Sequence, residues 1–462
     1  MRNKSYKFMM VISIIIIPLL SSSASALQER SELYDGALYE YTKTIEQNPN
    51  SAEAYYNRGL DYGKKGQLDQ AILDFDKALE INPRFAQVYL ARGIVYEQKG
   101  QYDRAISDYN EALEINPTYA EVYYSRGVAY GKKGQHDQAI LDFDKALEIN
   151  PRYSDVYINR GIAHGTIDQY DEAISDFTKA LEINPRLAFA YHSRGISYAK
   201  KGKHDEAISD FTKALEINAG FAEAYFHRGY IYLKTFKYDQ AILDFTRALE
   251  IYPSFFEAFL QRGNAYLQIH RIDKALDDLN KALEINPKSA DAYSIRGIIY
   301  SIMYQKDHAI SDFTKALDID PRLAGAYYYR GFAYFAKKEY KKSLEDFNKA
   351  QELGIQVPPW ILDDLSKILS NTPGFPRRWS SVGFGFWFSG LPNDYSIQAI
   401  LEDGPAAKAG LKIGDRILKI NNADVTTFGK ILFVSLGEKW TFTVLQDGNE
   451  KEVELVAEEP KW

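Results

Sequence analysis

The sequence repeats itself every 34 residues, and no other feature constrains its fold as strongly. Glycine occurs at Gly59 and at every thirty-fourth position up to Gly331. Alanines keep the same step from Ala71 to Ala309, and prolines keep it from Pro49 to Pro321 apart from Ala219. Nine copies in register run from Ala52 to about Val357. A chain made of many copies of one short unit folds as a stack in which each copy packs against its neighbours.

Each copy has the pattern of two amphipathic helices, called helix A and helix B below. Residues spaced four and three apart lie on one helical face. In the first copy, Tyr55, Gly59 and Tyr62 have this spacing in helix A. Ala71, Phe75 and Ala78 have it in helix B. The sequence therefore predicts nine helical hairpins.

The boundaries of the helices are also marked in the sequence. Gly66 separates helix A from helix B, and Asn82-Pro83 ends the hairpin, because a residue before proline avoids helical angles. Asp69 stands at the predicted start of helix B, and an aspartate recurs there in eight copies, so we expect it to cap the helix.

The small and large positions of the pattern predict how the copies pack. Gly59 and Ala71 allow the two helices to approach closely, and a single hairpin cannot bury its own apolar face, so successive copies must stack. Of the 35 tyrosines, 16 occupy the two aromatic positions of helix A that Tyr55 and Tyr62 hold in the first copy. We therefore expect a packing role for these rings.

Two charged positions are invariant among the nine copies. Helix A carries an arginine before its glycine, at Arg58, Arg92, Arg126, Arg160, Arg194, Arg228, Arg262, Arg296 and Arg330. Helix B carries an aspartate before its large residue, at Asp74, Asp108, Asp142, Asp176, Asp210, Asp244, Asp278, Asp312 and Asp346. We predict that these residues form ion pairs joining helix A to helix B, within or between repeats; the alternative is two separate solvated faces.

The pattern of an aromatic residue, glycine, tyrosine, alanine, phenylalanine and proline at these spacings resembles the tetratricopeptide repeat, although that family usually has leucine where this chain has arginine. The resemblance implies an all-α, right-handed superhelical solenoid of antiparallel helix pairs that binds other proteins. The nine repeats would span 52–357. A lone helix B-like segment at 27–50 would precede them, and a capping helix at 358–371 would cover the last apolar face.

The first 26 residues have the pattern of a secretory signal peptide. A basic start with Arg2, Lys4 and Lys7 precedes the apolar run Phe8–Leu20, and Ala24-Ser25-Ala26 forms a small-residue cleavage site. We expect an exported protein, periplasmic or extracytoplasmic, with no membrane span once the signal is removed. The alternative is a membrane anchor formed by an uncleaved signal.

Charge and composition exclude several classes of function. Removal of residues 1–26 takes away three basic residues and no acidic ones, so the net charge falls from −7 to −10, which disfavours nucleic acid as a partner. The absence of cysteine excludes disulfides, thiolate metal sites and a cysteine nucleophile. The seven histidines are scattered without metal-ligand spacing. We expect no catalytic residues, no metal and no cofactor.

In the tetratricopeptide family, helix A lines the inner groove of the superhelix. By position, the resemblance assigns this lining to Tyr56, Leu60, Leu90, Ile94, Tyr124, Val128, Ile158, Ile162, Ile196, Phe226, Tyr230, Leu260, Ile298, Tyr328 and Phe332. Because these residues are aliphatic and aromatic, the expected ligand is an apolar peptide or an amphipathic helix. The alternative is that part of this set belongs to the core between repeats.

After a proline- and glycine-rich linker at 372–380, the pattern changes to short strands. Two of them flank Asp447-Gly448, which is a hairpin signal. The run at 402–425, with Gly383-Phe384-Gly385-Phe386, resembles a bacterial PDZ domain covering 381–458. The expected C-terminal module is therefore a small domain rich in β-structure.

In the PDZ family, the Gly-Φ-Gly-Φ loop binds the terminal carboxylate of a peptide, which adds as a strand to the sheet edge. The resemblance assigns this loop and strand to Gly383, Phe384, Gly385, Phe386 and Phe388, and the facing helix 427–434 to Phe428, Ile431 and Leu432. A slot closed by the chain's own aromatic residues is the alternative.

Three hypotheses about function follow. In the first, the chain is a non-catalytic scaffold or adaptor whose groove and PDZ slot hold two proteins. In the second, it is a dedicated accessory subunit of an envelope protease or of a secretion or assembly complex. The third, a hydrolase, has little support, because the repeats and the PDZ module leave no room for a catalytic domain.

Overall fold

The structure, a computed structural model, describes residues 24–370 and six later strands at 386–388, 397–400, 416–420, 423–424, 439–446 and 449–456. The predicted signal segment up to residue 23 and the predicted linker 372–380 lie outside the described residues. The chain divides into two compact units, residues 1–219 and 220–462.

Nine helical hairpins follow an initial helix, α1, at Ala24–Gln47. In the first unit the paired helices A and B are α2 (Ala52–Lys64) and α3 (Leu68–Ile81), α4 (Ala86–Gln98) and α5 (Tyr102–Ile115), α6 (Ala120–Lys132) and α7 (His136–Ile149), α8 (Ser154–Thr166) and α9 (Tyr170–Ile183), and α10 (Ala188–Lys200) and α11 (His204–Ile217). In the second unit they are α12 (Ala222–Lys234) and α13 (Tyr238–Ile251), α14 (Phe256–Gln268) and α15 (Ile272–Ile285), α16 (Ala290–Ile302) and α17 (Lys306–Ile319), and α18 (Ala324–Ala336) and α19 (Tyr340–Glu352), followed by α20 (Pro359–Leu369).

Glycine at the centre of helix A makes the close packing of each hairpin possible. A β-carbon on Gly59 would lie 2.7 Å from Cε1 of Phe75, a distance at which the ring would have to move. Phe75 itself is fully buried together with Ala71 and Ala78. The spacing that predicted one apolar face on each helix is therefore the spacing that builds the core.

The turn between helix A and helix B is tight. Gly66 has a φ of +75°, in the left-handed region that glycine adopts without strain. At the other end of the hairpin, Asn82 follows the last helical residue, and its side-chain oxygen accepts a hydrogen bond from the backbone N–H of Arg84 at 3.2 Å. Both predicted breaks are confirmed.

The prediction that Asp69 caps helix B is wrong. The helix begins one residue earlier, at Leu68, and the preceding residue Gln67 makes no capping hydrogen bond through its side chain. Asp69 lies inside the first turn, and its carboxylate accepts a hydrogen bond from Nζ of Lys99 in the next repeat. The same contact joins Lys337 to Asp307 at 2.6 Å. The aspartate therefore connects neighbouring repeats.

Helix α20 packs on the last hairpin. Ile361 and Leu365 are buried in one cluster with Phe347 and Val357. At the start of the array, α1 packs against α2, and Nη1 of Arg58 donates a hydrogen bond to the Thr42 hydroxyl at 3.2 Å. Helix α20 thus covers an apolar face of the last hairpin, and α1 is joined to the first hairpin by a polar contact.

The C-terminal strands form two sheets. Strand β1 (Phe386–Phe388) pairs antiparallel with β2 (Ile397–Ile400). Strands β3 (Arg416–Ile420), β4 (Ala423–Asp424), β5 (Lys439–Gln446) and β6 (Asn449–Val456) form an antiparallel sheet in the order β4-β3-β5-β6. Gln446 pairs with Asn449 at the end of the β5–β6 hairpin, as its turn signal predicted.

Candidate protein-binding surfaces

The invariant arginine and aspartate form a two-pronged ion pair within each repeat. In the third copy, Nε and Nη2 of Arg126 donate to the two carboxylate oxygens of Asp142 at 2.8 and 2.6 Å. The corresponding pair is present in all nine copies. The predicted pairing of helix A with helix B is confirmed.

The same arginines also reach the preceding repeat. Nη1 of Arg126 donates to the side-chain oxygen of Asn110 at 2.6 Å, and Nη1 of Arg194 donates to the Thr178 hydroxyl at 3.0 Å. In the second copy the acceptor is Asp76, 2.5 Å from Nη1 of Arg92. One side chain thus connects three helices of two successive repeats.

Aromatic rings lie beside these guanidinium groups. The guanidinium carbon of Arg126 is 5.5 Å from the ring centroid of Tyr123, which favours a cation–π interaction. All nine copies place a ring in this way, and in the seventh copy the ring is that of Phe259. This contact was not predicted, although the spacing of three residues between the aromatic residue and the arginine indicates it.

The pKa shifts of the paired groups follow from their burial and from the hydrogen bonds between them. The hydrogen bond with Asp142 raises the pKa of Arg126, so the arginine stays charged. Burial raises the pKa of Asp108, and the hydrogen bond from Arg92 opposes this shift. Each carboxylate is occupied by its own arginine, which leaves neither group available for proton transfer to a substrate.

The predicted groove residues form a row of apolar side chains along helix A of each unit. Most of them are half-buried, and Ile94 is 38% exposed. Several contact the last residue of their own repeat, just before the next helix A: the ring centroid of Tyr56 is 5.2 Å from that of Phe85, and that of Phe226 is 5.0 Å from that of Phe255. Part of the surface of each of these side chains is therefore packed against neighbouring residues, and the rest is exposed to solvent.

Leu260 does not belong to this row. It is only 2% exposed and packs in the core with Leu279, which replaces the phenylalanine or tyrosine found at the equivalent position of the other copies. A leucine is smaller than an aromatic ring, so Leu260 fills the space that the ring would occupy. The prediction that Leu260 lines the groove is wrong for this reason.

A polar contact joins helix A to helix B in the second repeat. The hydroxyl of the buried Tyr109 donates a hydrogen bond to the Glu97 carboxylate at 3.2 Å. Burial raises the pKa of Glu97, while the Tyr109 hydrogen bond and the charge of Lys132 lower it. This contact was not predicted, although Tyr109 is the one tyrosine at the phenylalanine position of helix B.

The described part of the predicted PDZ site is strand β1. It contains Phe386 and Phe388, and its one strand partner among the described strands is β2. The other predicted site residues, Gly383, Phe384, Gly385, Phe428, Ile431 and Leu432, lie outside the described residues. Their roles stay predictions.

Neither a metal cluster nor a membrane-spanning helix occurs in the described parts of the chain. A search of those residues finds no group of three histidine, aspartate or glutamate side chains placed to hold a metal ion. Nor does any helix there combine the length and hydrophobicity needed to cross a bilayer.

Comparison with known families identifies both parts of the chain. Tetratricopeptide repeat models match 52–85, 120–153, 154–187, 188–221, 222–255 and 256–289, and further models of this repeat match 33–66, 75–107, 96–134 and 290–323. Together they cover 33–323 without a gap, well over half of the sequence. A PDZ domain model matches 396–435.

Several solved structures are similar to parts of the chain. YrrB, described as a TPR protein with an unusual peptide-binding site, is 28% identical over 40% of this chain and 95% of its own, with a TM-score of 0.36. A MamA structure is 32% identical over 36% of this chain and 96% of its own, with a TM-score of 0.34. PilF of Pseudomonas aeruginosa is 21% identical over 44% and 92%, with a TM-score of 0.40.

None of the curated proteins compared with this chain matches it significantly. Both families that do match, the tetratricopeptide repeat and the PDZ domain, are protein-interaction modules that typically lack catalytic activity. From the 34-residue period, the nine hairpins and these matches, we conclude that the chain belongs to the tetratricopeptide repeat family and carries a C-terminal PDZ domain.

Proposed function

We propose that this chain is an exported, non-catalytic scaffold that holds two protein segments at once. The repeats would bind an apolar peptide or an amphipathic helix, and the PDZ domain would bind a free C-terminus or an added strand. The observation that carries the proposal is the row of half-buried apolar side chains on helix A in each unit, from Tyr56 to Ile196 in the first and from Phe226 to Phe332 in the second.

Charge along helix A supports an amphipathic ligand. The apolar row lies between exposed acidic residues in the first turn of the helix, such as Glu53 and Glu121, and lysines in the last turn, such as Lys64 and Lys132. A bound helix would bury its apolar face on the row and place its polar residues towards the two margins.

The PDZ domain would supply the second site. A strand that pairs on one side has its other edge open to a peptide, and β1 has one partner among the described strands. In this family a carboxylate bound by backbone N–H groups anchors the peptide, and such charge-assisted hydrogen bonds contribute about 1.5–3 kcal/mol each. We therefore expect this slot to require a free C-terminus.

Export is part of the proposal and rests on the N-terminal sequence. The basic start, the apolar run Phe8–Leu20 and the small residues before Leu27 support a secretory signal. An extracytoplasmic location would place both binding sites among envelope or secreted proteins. Fractionation of cells producing the full chain tests this, and a purely cytoplasmic product would contradict it.

A peptide-array experiment tests the first site. Full-length protein is screened against amphipathic helical peptides, and the Ile94→Asp variant is compared with Leu73→Asp. Ile94 belongs to the apolar row, whereas Leu73 is a 65% exposed residue on helix B. We expect about a tenfold loss of binding for Ile94→Asp, because a buried interface excludes an unpaired charge. Equal binding by both variants would contradict the assignment of the groove.

The PDZ site is tested with matched peptides whose C-termini are free or amidated. We expect binding of free C-termini alone, with loss of this binding in a Phe384→Asp variant. Binding of many different C-termini would support the adaptor. Failure of all of them, with one stoichiometric partner recovered, would instead favour the dedicated accessory subunit.

A further inference from the structure

The turns between helix A and helix B differ between the two units. In the first unit the residue in the left-handed region is mostly glycine, at Gly66, Gly100, Gly134 and Gly202. In the second unit it is a residue with a side chain, at Phe236, His270, Tyr304 and Lys338, with φ of 61°, 56°, 56° and 65°. Side chains in this region are strained, and such strain is often associated with function.

These side chains are exposed. Phe236 is 62% exposed and Tyr304 is 39% exposed, with Met303 beside it at 37%. Equivalent turns follow one another along one edge of the stacked repeats, and Nζ of Lys306 donates to the backbone oxygen of Ala336 in the next turn at 3.1 Å. The edge formed by 234–240, 268–274, 302–308 and 336–342 is called the turn edge below.

The turn edge is basic in a chain of net negative charge. It contains nine lysines and arginines against four acidic residues, while the five corresponding turns of the first unit contain nine against eight. The opposite edge of the second unit, at 250–257, 284–291 and 318–325, contains two basic and six acidic residues. In the second unit, positive charge is therefore concentrated on the turn edge, where Phe236 and Tyr304 are exposed, whereas the exposed Tyr252 of the opposite edge lies among acidic residues.

Part of this charge is available for a ligand. Lys337 is paired with Asp307 at 2.6 Å, but Arg271, Lys338 and Lys341 are exposed and have no ion-pair partner within the described part of the chain. Because opposite charges attract over several ångströms, unpaired cations on one edge favour an anionic partner.

We propose that the turn edge of the second unit binds an anionic lipid surface. Aromatic residues and lysine or arginine together are typical of the membrane interface, where rings enter the headgroup layer and cations contact phosphates. A row of exposed tips on successive repeats suits an extended surface, whereas a peptide would need a groove. The groove and the PDZ slot would then remain available to proteins.

Site-specific labelling tests this proposal, and the cysteine-free sequence makes it simple. A Gln305→Cys variant carries an environment-sensitive fluorophore on the turn edge, and a Ser254→Cys variant carries it on the opposite edge. With vesicles containing phosphatidylglycerol, we expect a blue shift for the probe at 305 and none at 254. Vesicles of phosphatidylcholine alone should give no shift at either position. The N-terminal apolar segment is common to both variants, so it cannot cause the difference.

Charge variants with matched controls complete the experiment. In the Gln305→Cys background, Arg271→Gln with Lys338→Gln should raise the lipid concentration for half-maximal shift about tenfold or more, because each basic residue contributes to anionic-lipid binding. Lys288→Gln with Arg322→Gln, on the opposite edge, should leave it unchanged. Equal shifts at both probe positions, equal effects of the two charge variants, or the same shift with soluble polyglutamate would each overturn the proposal.

Discussion

Each arginine of helix A is held by three kinds of contact at once. Arg126 forms a two-pronged ion pair with Asp142, donates to Asn110 of the preceding repeat and lies beside the ring of Tyr123. Asp142 is only 5% exposed, so the loss of its partner would leave an uncompensated buried charge. The pair therefore fixes how helix A, helix B and the previous repeat meet.

Removal of the arginine is expected to cost far more than removal of a surface cation. For Arg126→Met we expect a loss of about 2–4 kcal/mol in the free energy of unfolding, since its carboxylate partner remains buried. For Lys145→Met, which breaks only the exposed pair with Glu148, we expect a much smaller loss, because solvent screens an exposed ion pair. Urea unfolding followed by circular dichroism measures both, and equal losses would contradict the structural role of the arginine.

Glu97 predicts a pH dependence of stability. Burial raises its pKa above the ordinary value of 4.5, so the folded state holds the proton more tightly than the unfolded state does. Stability is therefore lost as the pH rises from the ordinary glutamate pKa through the raised one. We expect Glu97→Gln to be more stable than the wild type at neutral pH, with the difference vanishing below pH 4.5.

Unfolding of both proteins across this pH range checks the prediction. Tyr109→Phe provides a second variant, because it removes the hydrogen bond that lowers the pKa of Glu97. The stability of this variant should fall more steeply with rising pH than that of the wild type. A constant difference between Glu97→Gln and wild type at every pH would show that the effect is not titration.

At the scale of the elements, the turns between helix A and helix B hold residues whose type does not suit the backbone conformation that the turn requires. The turn needs a left-handed residue in every copy, and glycine supplies it in four of the five copies of the first unit. Phe236 takes this conformation in the second unit although a bulky side chain disfavours it. The two helices that the turn joins, α12 and α13, impose this conformation.

Glycine at this position should stabilise the protein. We expect Phe236→Gly to gain about 1 kcal/mol, because the strain of a left-handed phenylalanine disappears, and Gly134→Ala to lose a similar amount. Thermal unfolding measures both changes. A loss of stability in Phe236→Gly would show that the ring contributes more to the fold than its conformation costs.

Most of the helical fold was predictable because its signals are periodic and local. The 34-residue step gave the nine hairpins, and the invariant arginine and aspartate gave their pairing. The contact between Asp69 and Lys99 was missed because it joins residues 30 apart in different repeats, which no spacing within one copy indicates. Leu260 was assigned by position alone, whereas its burial depends on the size of Leu279. The PDZ loop residues remain assigned by resemblance.

At the scale of the whole molecule, a stack of repeats leaves an apolar face at each end. Helix α20 covers the last one: Leu365 is fully buried against the ninth repeat, whereas Leu369 of the same helix is exposed. A helix that covers this face keeps the terminal repeat from associating with other molecules through it.

Uncovering this face should destabilise the end of the array. We expect Leu365→Asp to detach α20, to cost about 3 kcal/mol or more and to promote self-association, because a charge replaces a buried side chain. Leu369→Asp serves as the control and should change little. Hydrogen exchange of the ninth repeat and light scattering check both effects, and equal behaviour of the two variants would contradict the capping role.

The reach of each arginine into the preceding repeat has a consequence for how such a chain can evolve. The acceptor on that side is an aspartate, an asparagine or a threonine in different copies, and each of them satisfies the same N–H group. Any copy can therefore follow any other without leaving a junction unsatisfied. Unequal recombination between repeats of the gene could lengthen or shorten the array by whole 34-residue units, while every junction between repeats keeps the same kind of hydrogen bond.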